Sequence, residues 1–294
     1  MDWQIRLIIL YVYISVEFDK DLRVYCQRFT NNNNPEFTDE EVITVFLYGI
    51  MQKRFEIRDI YNYARNHLSD WFPRLPSYVA FVNRLNRLSA VFPPLAERIL
   101  SDFSGTDIVR HIRLTDSFPV IMADGKRSSR AKVAAESANK GYCSSEGIWY
   151  YGVRVHILGI LRPGTLPLPD YIGLTPASEH DLSAFRQLIP YLENFQVYAD
   201  MAYIDRLERQ FLKEQGSELF TPVKKKKGQQ SPELFDRLFS TGVSRVRQPI
   251  ESLFNWIQEK TGIEKASKVR SSQGLTVHVF GRLAAAMFML VFNS

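Results

Sequence analysis

The sequence predicts an α/β protein: an all-helical region over residues 1–104, then a mixed five-stranded sheet flanked by helices, with C-terminal helices, over 105–294. Three observations predict it. Apolar residues recur at helical spacing through the first hundred positions. After Gly105 the period shortens to alternation in HIRLTDSFPVIM, and from there β-prone runs take turns with helical ones. A chain of 294 residues, 45% of them hydrophobic, has apolar surface for one large core or two modest ones.

The totals narrow the chemistry. With 37 basic against 32 acidic residues the net charge is +5, a mild bias toward a polyanionic partner. Cys26 and Cys143 lack metal-ligand spacing, which suits a reducing compartment and assigns them no chemistry. The apolar stretches Leu7–Val16 and Ala284–Phe292 are too short to span a bilayer. The first has Arg6 as its only basic flank and no small-residue cleavage site, so it does not read as a signal peptide. A soluble, cytoplasmic protein with no membrane partner is expected.

In the N-terminal region, Ile5, Ile8, Ile9 and Val12 form one helical stripe, and Val42, Val45, Phe46 and Gly49 another. The turn-rich NNNNP at 31–35 separates them, and Thr38 followed by Glu41 marks the start of the second. Ser77 is placed to cap a further helix with Val79, Val82, Leu85 and Leu88 on one side. Its Arg84 and Arg87, near Asn83 and Asn86, form either a solvated face or the reading helix of a helix-turn-helix module.

HIRLTDSFPVIM sets Asp116 on the same nominal face as Leu114, Phe118 and Val120. A carboxylate among core-facing residues is costly unless paired or bound to a cation. Pro119 predicts that the strand is interrupted soon after. Asp124 shares the parity, but eight extended residues put it roughly 26 Å from Asp116 at ~3.3 Å each. Asp116 is preferred and Asp124 is the runner-up. Lys126–Gly147 reads as a basic loop or short helix, Trp149–Ile160 and Tyr171–Leu174 as a strand hairpin, and His156 as a packed or solvated residue. Asp181 is expected to cap a helix over Leu182–Leu192.

The run FQVYADMAYID at 195–205 reads as strand, acidic tip, helix, with Asp200 at the tip. There a carboxylate is either a helix cap or a ligand at the strand's C-terminal end. A helix to Gly216 and a short strand Glu218–Thr221 follow. Lys224, Lys225, Lys226 and Lys227 are either a solvated loop or a phosphate contact. After a helix over Pro232–Thr241, a new helix is expected to begin near Pro249, with Ile250, Leu253, Phe254 and Ile257 buried and Glu251 in its first turn.

Helical region, strand with Asp116, two strands, helix, strand ending in Asp200, helix, strand and helix with Glu251 is the element order of a ribonuclease H-like fold. From about Leu75 onward the chain resembles the DDE transposases of bacterial insertion sequences. The matching pieces are TDSFPV, TPASEHD, YADMAY, Thr221-Pro222 before a basic stretch, and RQPIESLFNWI. The resemblance implies that Asp116, Asp200 and Glu251 are the catalytic acids and hold two Mg²⁺ or Mn²⁺ ions, with Arg247 a DNA or active-site contact. It implies a DNA-binding N-terminal region, element ends and target DNA as substrates, and a homodimer or higher oligomer on nucleoid DNA. A same-fold nuclease or resolvase, or a silent DNA-binding derivative, are the rivals. One branch of the family has Tyr and Lys where this chain has Ser244 and Gln258. Lys260, nine residues past Glu251, points to roughly the opposite helix side.

Overall fold

The computed structural model describes residues 2–27, 35–144, 147–203, 206–224 and 233–292. Five helices come first: α1 (Trp3–Lys20), α2 (Asp39–Met51), α3 (Ile57–His67), α4 (Tyr78–Arg87) and α5 (Phe92–Ser101). The start of α2 is a reciprocal cap. The Thr38 hydroxyl accepts from the Glu41 amide at 3.2 Å, and the Glu41 carboxylate accepts from the Thr38 amide at 2.5 Å. Ser77 caps α4 through the Ala80 amide at 3.4 Å. Val42, Val45, Phe46 and Gly49 are buried as expected.

Two helix faces differ from the sequence reading. In α1 the buried apolar residues are Leu7, Leu10, Ile14 and Phe18, while Ile5, Ile8 and Val12 are exposed. From Trp3 to Val16 the helix carries one charge, Arg6, so it is apolar nearly all round and its pattern cannot select a face. In α4 the core takes Phe81 and Leu85, followed by Leu88, and leaves Val79 exposed. The connection from α3 to α4 runs from Leu68 to Ser77, much longer than a helix-turn-helix turn.

The sheet region follows: β1 (Val109–Asp124), α6 (Gly125–Ser128), β2 (Asn139–Cys143), β3 (Ile148–Leu161), β4 (Leu168–Pro176), α7 (Asp181–Arg186), β5 (Gln196–Tyr198), α8 (Arg206–Glu214), β6 (Glu218–Phe220) and α9 (Leu234–Thr261). The sheet has six strands, not five. The added one, β2, lies in the stretch expected to be a loop or short helix. Its sequence NKGYC has little strand character, and Gly141 is what lets it fit: a Cβ there would lie 2.1 Å from the Ala177 carbonyl oxygen.

The strand order is β2-β3-β1-β5-β6, with β4 also on β3. β3 is antiparallel to β1, and its far edge takes β2 along 148–152 and β4 along 153–160. β1, β5 and β6 are mutually parallel, with Leu114 opposite Tyr198. Pro119 does not interrupt β1, which continues in register with β3 through Pro119 opposite Arg154. The β5 ladder ends at Leu114, so the proline lies where β1 is an edge on that side and its missing N–H costs little. Gly152 supports the same pairing, since a Cβ there would sit 2.0 Å from the Val120 oxygen.

The two helices expected around Pro232–Thr241 and Pro249 are one, α9, with Pro249 inside it. An internal proline forfeits the bond to the carbonyl four residues back, at about 3 kcal/mol. Full burial of Ile250 and Leu253 offsets this. Phe254 adds a ring contact with Phe118 at 4.9 Å.

After α9 come α10 (Ser272–Thr276), a π-helical turn at Val277–Gly281, and α11 (Arg282–Phe292). The chain forms two compact units, Met1–Phe103 with Ile257–Ser294, and Ser104–Trp256. The C-terminal helices therefore group with α1–α5, and α11 packs on α5 and α2. Buried polar groups tie this unit together. Arg282 donates to the carbonyls of Thr261 and Phe55, and His278 Nε2 donates to the Ile263 carbonyl at 2.8 Å. Burial, with Arg282 adjacent, depresses the His278 pKa to about 3. The continuous run Ser272–Phe292 is long and apolar enough to cross a membrane, unlike the shorter stretch read from the sequence, but 72% of its most apolar window is buried in the protein. It is a core helix.

Candidate active site

Parallel pairing of β1 and β5 does most of the assembly. Leu114 and Tyr198 are the last partners of the β1–β5 ladder, and Asp116, midway along β1, and Asp200, just past β5, each follow by two residues, so both acids lie just beyond the C-terminal end of that ladder. Ligands of α/β sheets gather at this end. Burial raises both pKa values, and neighbouring carboxylates add to it, Asp200 and Asp181 for Asp116 and Asp181 for Asp200. Asp116 is pushed up to about 6, against the pull of Arg247 and of a hydrogen bond from the Ser117 amide at 2.8 Å.

Asp200 takes the first of the two roles the sequence left open, that of a cap. Its Oδ1 accepts from the Ala202 amide at 2.7 Å, capping the 3₁₀ turn Met201–Tyr203, and the carboxylate still lies in the field of Arg247 and Arg154.

Glu251 enters from α9 through Arg247. One Arg247 nitrogen lies 2.5 Å from Asp116 Oδ2 and the other bonds Glu251 Oε1, with the arginine side chain only 15% exposed. The spacing R-x-x-x-E places both side chains on one helix face, one turn apart. Arg247 thus fills the space between two of the three acids. Among the described residues no three His, Cys, Asp or Glu side chains are grouped closely enough to hold a metal ion.

Asp181 is a fourth carboxylate at the site. It lies in the first turn of α7 with His180 at the cap position, and it faces inward. It accepts from the Ser117 hydroxyl at 2.6 Å and from Arg154, 3.0 Å from both its oxygens. His156 Nδ1 is 3.6 Å away, and its Nε2 is 2.8 Å from the Thr175 hydroxyl. Burial lowers the His156 pKa to about 4, so the imidazole is neutral at neutral pH. Asp181 bonds the hydroxyl of the residue whose amide bonds Asp116, so Arg154 and Asp181 brace the strand at that acid. The sequence carried a signal for this network: Arg154 and His156 share one parity of an otherwise apolar strand, which demands a buried partner.

Other residues singled out from the sequence are dispersed. Asp124, at the far end of β1, is 64% exposed and paired with Arg127 at 3.5 Å. Arg84 bonds Asp39 at 2.7 Å and the Phe37 carbonyl, so its guanidinium is built into the helical unit, whereas Arg87 is exposed. Lys224 lines an open groove with Arg247 and Glu251. Lys225, Lys226 and Lys227 lie outside the described residues.

Neither the curated proteins nor the solved structures compared with this chain include a match. A family model described as transposase DDE domain matches residues 107–272, which is more than half of the chain and takes in Asp116, Asp181, Asp200, Arg247 and Glu251. The chain belongs to the transposase DDE domain family.

Proposed function

We propose that this protein is a DNA transposase that cuts and joins the ends of an insertion sequence, with Asp116, Asp200 and Glu251 as its catalytic acids on a ribonuclease H-like sheet. The observation that carries the reading is the placing of these acids: two follow the last pair of the parallel β1–β5 ladder by two residues each, and the third is tied to the first through Arg247. Without β2 the sheet has the five mixed strands expected of that fold.

The donor set fits hard divalent cations. Three carboxylates offer oxygen alone, and Asp116 and Asp200 repel each other in a partly buried site, so a cation between them relieves a real electrostatic cost. Mg²⁺ or Mn²⁺, two ions in this reading, would be held by Asp116, Asp200 and Glu251 and supplies an acidified nucleophile and charge stabilisation at the leaving oxygen. The protein's own part is orientation. The Ser117 amide fixes Oδ1 of Asp116 and the Ala202 amide Oδ1 of Asp200, while Arg247 holds the second oxygen of Asp116. Arg247 carries the positive charge that balances Asp116 and Glu251, and on DNA binding it is placed to shift to a phosphate. The protein acts on element ends and target DNA as a homodimer or larger assembly, with Arg87 and the lysines from Lys224 to Lys227 contacting backbone, in the bacterial cytoplasm.

The test is a labelled element-end duplex with Mg²⁺ and target DNA. The wild type should cut the strand and join its 3′ end to the target, and Asp200→Asn should do neither while keeping its duplex affinity. Cutting without joining would replace the transposase reading with a nuclease.

A further inference from the structure

Helix α1 has two apolar sides and buries one of them. Leu7, Leu10, Ile14 and Phe18 are buried, while Ile5, Ile8, Val12 and Val16 are each 44–52% exposed. At 3.6 residues per turn the exposed four fall within an arc of about 80° on the opposite side of the helix, and the half-buried Ile9 lies at its edge. Ile5, Ile9, Val12 and Val16 follow at steps of four, three and four, the spacing of a seam between helices, and all are β-branched. From Ile5 to Val16 the seam rises roughly 16 Å. Arg6, the sole charge from Trp3 to Val16, lies off the arc, and Asp19, about a turn past Val16, is paired with Arg23 at 2.6 Å.

A helix that is apolar all round is stable only when covered all round. With Tyr11 beside it, the arc presents roughly 400 Å² of apolar surface, the size of patch that marks an interaction site. Two such arcs bury about 800 Å², which matches the apolar share, about 60%, of an interface near the lower end of the standard ~1,200–2,000 Å². The chemistry of the arc selects the occupant. Being free of charge, two identical arcs meet with no like charges opposed, as a contact about a two-fold axis requires. A helix lying on lipid carries lysine and arginine beside its apolar side, and from Trp3 to Val16 this arc has none beside it.

We propose that α1 is a dimerisation helix: its Ile5–Val16 arc packs antiparallel on the same arc of a second copy of this chain, and the pair forms without DNA. A two-fold axis at the middle of the arc sets Ile5 against Val16 of the other copy and Ile9 against Val12. The antiparallel arrangement also brings opposite ends of the two helix dipoles together. The interface rests on α1 alone and stands apart from the reading of the acids. Where that reading holds, the dimer carries two sets of Asp116, Asp200 and Glu251, one for each element end.

The test is sedimentation velocity of the full chain without DNA or metal. The wild type should be a dimer at about 10 µM. Ile5→Lys and Val16→Glu each bury an unpaired charge in the seam and should each weaken the dimer by at least ~100-fold. An equimolar mixture of the two variants should dimerise again, because the introduced lysine and glutamate face each other at one end of an antiparallel seam. Both positions are about half exposed in the single copy, so helix content by circular dichroism should be unchanged. Val12→Gln, which adds no charge, should weaken the dimer about tenfold. A wild type still monomeric at ~100 µM, variants that remain dimers, or a mixture that stays monomeric would each overturn the proposal. So would a monomeric wild type that binds phosphatidylserine vesicles and a Val16→Glu variant that does not, which would mark a lipid surface. Loss of cutting in every setting with the dimer intact would sink only the reading of the acids.

Discussion

Replacing Arg247 with Gln removes the cation that sits between Asp116 and Glu251, and the structure sets the size of the effect. The Arg247–Asp116 pair is 15% and 20% exposed at 2.5 Å. Breaking a fully buried pair costs about 3–5 kcal/mol, and partial exposure brings this pair to about 2 kcal/mol. Glu251 is half exposed, so its share is at most ~0.5 kcal/mol. Asp116 is already held near 6 by burial against the pull of Arg247, and the variant pushes it higher. A carboxyl with a raised folded pKa contributes stability below its unfolded pKa and loses it as pH rises through the folded value. The variant's deficit should therefore be larger at pH 8 than at pH 5. Melting in EDTA at pH 8 should fall by roughly 4–8 °C. Because the arginine fills the space between two acids, Mn²⁺ should raise the variant's melting temperature more than the wild type's. Equal melting of the two proteins in EDTA at pH 8, or a larger Mn²⁺ response in the wild type, would refute the reasoning.

Three further outcomes follow from the fold. His278 is buried neutral with a pKa near 3, so its contribution is complete above about pH 6.5 and is lost as pH falls. Between pH 7 and 5 the helical unit should lose about 2 kcal/mol in urea unfolding, and His278→Gln should flatten that dependence. Thr38→Ala removes the hydroxyl half of the α2 cap, the acceptor of the Glu41 amide, and should cost about 1 kcal/mol by the same measurement. Gly152→Ala drives a Cβ to 2.0 Å from the Val120 oxygen, a backbone atom that cannot yield without breaking the β1–β3 ladder. That variant should lose more than ~4 kcal/mol and be recovered as insoluble protein, and a soluble, active Gly152→Ala would contradict the register.

The parts of the molecule legible in the sequence are those where one local rule dominates. Alternation around Asp116, the short apolar run before Asp200 and the glutamate beside the Ile250–Ile257 stripe are local patterns, and they survive folding because strands and helices keep their periods. The Thr38 cap is legible for the same reason. What was not legible depends on partners distant in sequence. The covered face of α1 is chosen by packing, since the helix is apolar nearly all round. β2 exists because Gly141 fits against Ala177, which no local propensity encodes. Pro249 reads as a helix start, yet burial of Ile250 and Leu253 keeps α9 unbroken through it. Asp181 reads as a cap because its partners Arg154 and Ser117 lie 27 and 64 residues away.

The central claim is that Asp116, Asp200 and Glu251 act as one cutting centre. The direct measurement is single-turnover cleavage of an element-end duplex in Mg²⁺ by the wild type and by Asp116→Asn, Asp200→Asn and Glu251→Gln, with duplex affinity measured in parallel. Each variant should lose cleavage by at least on the order of 10³-fold while still binding the duplex. Cleavage near the wild-type rate in any one of the three would contradict the account.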